Sequence, residues 1–331
     1  MLAKHSAIKF LVLFGILCKQ SAFSQKSAFP SSVVWTVEVK DISPRFLDFF
    51  QTAIDEKATP DQRWQLWKEK YDFAAVPPIA AGQAMAREQL DDAWPKYQAV
   101  LPRLRAGAGG IVPNPHRKLD ELVSLLEPTE GGRIQLTTFV GTFHRSAFAS
   151  GKIDGIWRIA IPLEDSDLDH ALDMTHEMTH AVQRSSGHWE GQTVGGAIFS
   201  EGLAMRTTEK LNSGYEPYIY TASTPEWLHD CQAKLPEVFR DLGGHLNDAG
   251  AEAVSKFTIA KGATGLNREV YCAGWFIVGR LLEQERSYSD LAGLTQGDAI
   301  ALVSQQLKGW QGTLSSGNTT HRAEDSAYAS R

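Results

Sequence analysis

The sequence predicts an α+β protein, mostly helical, with one small sheet. Three observations lead there. Apolar and aromatic residues recur at three- and four-residue spacings through most of the chain, which is the period of a helix with one buried face. Alternation of apolar and polar residues is confined to two short segments, 133–140 and 155–161. A chain of 331 residues with 43% hydrophobic content and nine Trp can fill one large domain or two small ones.

Residues 1–24 read as a targeting segment. Lys4 and Lys9 precede an apolar run from Phe10 to Cys18 that is too short to span a bilayer. Ala22-Phe23-Ser24 then places small residues at the −3 and −1 positions of a cut between Ser24 and Gln25. A positive start, a short apolar core and a small-residue exit make a secretory signal, so a secreted or periplasmic protein is expected. Cys18 raises a lipoprotein alternative, and the bulky Leu17 before it argues against that.

Residues 25–130 form a mainly helical N-terminal region. A polar lead-in, 25–32, is followed by a strand-like run at 33–39. From Pro44 to about Val100 the pattern is helical, with Phe46, Phe49 and Phe50, then Trp64, Trp67 and Tyr71, then a segment from Gln83 ended by Pro95. Aromatics at this spacing are read as core, not as a ligand platform. The glycine-rich stretch 105–110 lacks the Lys-Ser/Thr of a phosphate loop and reads as a linker. A short helix is expected at 118–126.

Residues 131–312 are the second region. The two alternating strands flank a loop, 141–154, containing His144 and Arg145, and lead into a helix that begins near Asp165, Asp167 and Asp169. A helix over 201–211, a loop with Tyr215, Tyr218 and Tyr220, and mixed helices from Glu226 to about Leu307 follow. One of these is an apolar helix over 271–282. The tail, 313–331, is rich in Ser, Thr, Gly and Ala and is expected to be disordered. With the signal removed, Cys231 and Cys272 remain, either as a disulfide or as two buried thiols. The net charge of −6 supplies no basic footprint for nucleic acid, and no later run is long enough for a transmembrane span.

The most specific chemistry lies in His176-Glu177-Met178-Thr179-His180. Residues four apart on a helix share a face, so both imidazoles can address one metal ion. Glu177 sits beside that face, where it could hold and deprotonate a water. A catalytic zinc takes three protein ligands and keeps one open position, and Glu201 is the natural third ligand. Leu168, Leu172, Met178, Ala181 and Val182 supply an apolar stripe that would pack this helix against a core.

His176 to Val182 resembles the zinc-binding helix of thermolysin-type peptidases, with a glutamate on a separate helix as in the gluzincins. The Glu201-Gly202-Leu203-Ala204 form of the second motif, with an apolar helix beginning at Tyr271, looks closer to a family of predicted zinc-dependent proteases of unknown substrate. The resemblance covers about residues 130–285. It implies a zincin-like catalytic domain with a small sheet and an active-site helix, a Zn2+ cofactor, and hydrolysis of a peptide or protein substrate with Glu177 as general base. It favours Tyr271 as donor to the oxyanion, with His188, His144, the loop tyrosines and Arg280 as the other candidates. One departure stands out: Met205 occupies the place of an aspartate one turn after the third ligand. Asp173, one turn before His176, is then a candidate to orient the histidines. The alternative function is an envelope binding or assembly protein on the same scaffold with little or no catalysis. Hydrolysis of another amide or an ester is a third possibility.

Overall fold

The structure is a computed structural model and describes residues 33–76, 80–144, 146–189 and 191–315. The expected signal segment, its cut at Ser24/Gln25, Arg145 and the tail from 316 lie outside the described residues. The chain is mixed α+β, as expected, with a four-stranded sheet among many helices.

Strand β1, Trp35–Asp41, is followed by five helices: α1 (Ser43–Asp55), α2 (Pro60–Lys70), α3 (Ala80–Ala93), α4 (Tyr97–Ala106) and α5 (Pro115–Leu126). Strands β2 (Gly132–Phe139), β3 (Phe148–Ile153) and β4 (Ile156–Pro162) come next. The sheet order is β1-β2-β4-β3, with β1, β2 and β4 parallel and β3 antiparallel on the edge. Because β1 pairs along its whole length with β2, the boundary at 130/131 does not separate two bodies. From Val33 onward the described residues cluster as one compact unit.

Two further expectations are corrected in this half. The 105–110 linker is the end of α4 and a 3-10 turn, Gly107–Gly110. The 141–154 loop contains β3, which turns into β4 through Asp154-Gly155. Both turn residues have positive φ and Ile153 pairs with Ile156, which is a two-residue hairpin of the Asp-Gly kind. A half-exposed, Ser/Gly-containing edge strand such as β3 shows little apolar alternation, so only its turn marks it.

The aromatics of the N-terminal region form a core, as their spacing implies. Phe46 lies edge-on to Phe49, Tyr71 and Tyr97, and stacks on Phe50. Two of these rings also hold the end of β2. Tyr71 donates to the Val140 carbonyl at 2.8 Å and accepts from its amide at 2.7 Å, and Tyr97 donates to the Gly141 carbonyl at 2.8 Å. Buried Glu164 accepts from the amides of Gly141 and Phe143, which fixes the turn beside the sheet. Burial raises its carboxyl above the usual range despite those bonds.

The second half is helical: α6 (Asp167–Ser186), α7 (Val194–Leu211), α8 (Pro217–Tyr220), α9 (Pro225–Gly243), α10 (Ala251–Thr258), α11 (Glu269–Glu283), α12 (Tyr288–Ala292) and α13 (Gln296–Ser315). Helix α13 thus runs three residues into the expected tail. Helices α7 and α11 cross through two glycines. A Cβ on Gly202 would come within 2.4 Å of the Gly274 carbonyl, and one on Gly274 would come within 2.4 Å of the Ile198 carbonyl. Beside the crossing, Arg206 lies over the Trp275 ring at 3.5 Å and donates to the Trp275 carbonyl. Cys231 and Cys272 form a disulfide that ties α9 to α11, settling the open alternative.

Candidate metal centre

Helix α6 starts where its acidic turn suggested. Ser166 caps it by accepting the Asp169 amide, and Asp167 and Asp169 complement the positive end of the helix dipole. Met174, Met178, Ala181 and Val182 are fully buried, which presses one side of the helix onto the core and directs His176 and His180 toward α7.

Glu201 does not open its helix. Thr193 caps α7 by accepting the Gly196 amide, so Glu201 sits two turns in. Gly195 and Gly196 give the segment the look of a loop, but both are needed for close packing. A Cβ on Gly195 would stand 3.0 Å from the Leu246 carbonyl, and one on Gly196 would stand 2.9 Å from the cap oxygen. The earlier start places Glu201 in the rigid middle of a helix that packs directly on α6.

The two helices bring the three expected ligands together. His176 Nε2 is 3.1 Å from Glu201 Oε2, and His180 Nε2 is 3.5 Å from Glu201 Oε1. One donor atom from each residue lies within 4.8 Å of the others, so the group could hold a metal ion. The imidazole rings stand edge to face at 4.9 Å.

Ser200 orients one of them, a role sequence reading did not assign. Its hydroxyl donates to Gln183 Oε1 at 2.8 Å and therefore accepts from His180 Nδ1 at 2.9 Å. The His180 proton is then on Nδ1, and Nε2 keeps its lone pair for a metal. The available signal was positional: Ser200 precedes Glu201, and Gln183 lies on the apolar stretch just after His180. Asp173 contributes through its charge, which helps raise His176 and Glu177. Met205 is buried in an apolar cluster with Leu172, Tyr220 and Trp275.

The electrostatics follow from burying these groups together. Burial opposes ionisation of Glu201, yet the adjacent His180 and His176 hold its carboxyl well below the usual range. Burial likewise opposes charging His176, but its bond to Glu201 raises it. Glu177 shows the opposite balance: burial raises its carboxyl, and His176 and His180 offset that only in part. A carboxyl raised in this way is a better proton acceptor than an ordinary glutamate.

Tyr271 is at the head of α11, close enough to Glu201 to feel its charge. The Glu201 charge, followed by burial, raises its phenol well above normal, so it stays a proton donor at any working pH. Arg268 lies over the ring at 4.1 Å and helps to hold it. Four of the other oxyanion candidates are engaged elsewhere. His144 contacts the Thr142 carbonyl, His188 pairs with Glu130, Tyr220 bonds the Asn212 carbonyl and the Tyr215 amide, and Arg280 lies over Trp310.

Comparison with protein-family models, curated proteins and solved structures finds no match to the chain.

Proposed function

We propose that the protein is a zinc-dependent metallopeptidase of the gluzincin kind, exported from the cytoplasm, with a zincin-like arrangement of sheet and active-site helix. One observation carries the reading: His176, His180 and Glu201 converge at 3.1 and 3.5 Å, with Glu177 and Tyr271 electrostatically coupled to them. Donors about 2.0–2.1 Å from one tetrahedral zinc lie about 3.4 Å apart, close to the two His–Glu separations. Two histidines and a carboxylate are also the ligand chemistry of catalytic zinc.

When bound, zinc supplies a Lewis acid that activates water and polarises a carbonyl. On this reading Glu177 accepts the proton of the attacking water and returns it to the leaving amine. Its carboxylate makes no hydrogen bond to another described residue, which supports that exchange. Tyr271 is the donor to the developing oxyanion on the same reading. The antiparallel edge strand β3, which contacts α6, offers backbone groups to an extended peptide. Export rests on residues 1–24 as a signal, and the Cys231–Cys272 disulfide suits an oxidising compartment.

Cleavage of a mixed peptide library by wild type and Glu177→Gln tests this. The variant is expected to keep its fold and metal while losing about 10²–10⁴-fold in turnover. Equal activity in both proteins would refute Glu177 as the base. No cleavage by the zinc-loaded wild type would favour a binding role.

A further inference from the structure

A cleft beside Glu201 is lined by residues of α6, α7, α10 and α11. Ser200, Glu201 and Tyr271 line its inner part, with Trp189 and Ile259 along its sides. Arg184 also lines it. His176, His180 and Arg184 are spaced four apart on α6, so Arg184 lies on the histidine face of that helix, one turn past His180. It stands on the order of 6 Å beyond His180 along the helix axis.

Two features set Arg184 apart. Among the described residues lining the cleft, Glu201 is the only carboxylate, and it is committed to the histidines. And Arg184 enters no ion pair with a described residue. The other arginines near the site are occupied. Arg206 is held by Glu209 and the Trp275 carbonyl, and Arg268 by the carbonyls of Thr221 and Ala222. A planar guanidinium with no carboxylate partner among the described residues, at the wall of a cleft, is suited to bind one from a ligand.

We propose that Arg184 is a carboxylate-binding subsite that sets substrate preference, so the cleft selects peptides carrying a carboxylate within about two residues of the scissile bond. That reach follows from the offset along α6 and an extended peptide rise of about 3.4 Å per residue. The carboxylate is either a free C-terminus or an acidic side chain. The assignment rests on the peptidase reading for its bond-cleaving context, but the binding itself can be read separately.

The test uses zinc-loaded full-length protein and paired peptides of one neutral sequence. One pair differs in a free or amidated C-terminus. A second, amidated series carries a single Glu walked along the peptide, with Gln in its place as control. Cleavage gives kcat and KM, and calorimetry on Glu177→Gln gives binding without turnover. Arg184→Gln, made alone and in the Glu177→Gln background, should weaken the carboxylate-bearing member about 10- to 100-fold in KM and Kd and leave the neutral member nearly unchanged. Arg184→Lys should recover part of the loss, because it keeps the charge without the planar fork. Discrimination in the first pair identifies an exopeptidase-type terminus, and discrimination in the second an acidic side chain. If Arg184→Gln affects both members of every pair equally, or if wild type does not distinguish them, the subsite is refuted while cleavage stands. If calorimetry shows Arg184-dependent discrimination and no peptide is cleaved, the peptidase reading fails and the subsite stands. Neither binding nor cleavage would overturn both.

Discussion

Tyr271 and Ser200 show how single side chains finish a site whose ligands only begin it. Ser200 orders His180 by accepting its Nδ1 proton, and Tyr271 stands within the field of the Glu201 carboxylate. If Tyr271 stabilises the oxyanion, Tyr271→Phe should lower kcat with little change in KM, by about 2.7–4 kcal/mol of transition-state stabilisation. A Tyr271 that only braces Glu201 would instead show weakened metal binding, nearly normal kcat at saturating zinc, and a lower melting temperature. Steady-state kinetics and a melting curve on one preparation separate these outcomes. The convergence of His176 and His180 was legible because helical spacing alone places them together. Ser200 was not, since a serine beside a ligand has no pattern of its own until the facing helix is known.

At the level of the elements, the site depends on how closely three helices approach. Gly202, next to the third ligand, and Gly274, on the apolar helix, let α7 and α11 meet at backbone contact. That contact sets the distance between Glu201 and Tyr271. Gly202→Ala adds a methyl where a carbonyl already stands, so the helices must separate. The expected cost is about 1–3 kcal/mol of stability, with weaker metal binding because Glu201 moves with α7. Thermal denaturation and a zinc titration check both effects, and a variant equal to wild type in each would contradict the close crossing. The start of α7 was hidden by similar chemistry: Gly195 and Gly196 are weak helix formers, and here they sit inside the helix, where Gly195 approaches the Leu246 carbonyl and Gly196 the Thr193 cap. Strand β3 escaped for a different reason. An edge strand buries neither face fully, so its alternation is weak and only Asp154-Gly155 announces the hairpin.

Across the whole molecule, the N-terminal helices are not an appendage. Tyr71, Tyr97 and Glu164 fix the turn after β2, and β1 extends the same sheet, so the aromatic core supports the platform on which α6 lies. Composition and helical spacing made the α+β class readable. The single unit was not, because a parallel pairing between strands nearly a hundred residues apart leaves no local mark. On the proposed function, one ion would join α6 to α7 and stabilise the native state in proportion to its affinity. The most direct measurement is the zinc content of the full-length protein and of Glu201→Ala after loading with zinc and extensive dialysis. The account predicts about one zinc per wild-type chain and a sharp loss in the variant, which keeps only two protein ligands. A wild type that retains no zinc, or a Glu201→Ala protein that retains all of it, would contradict the three-ligand centre.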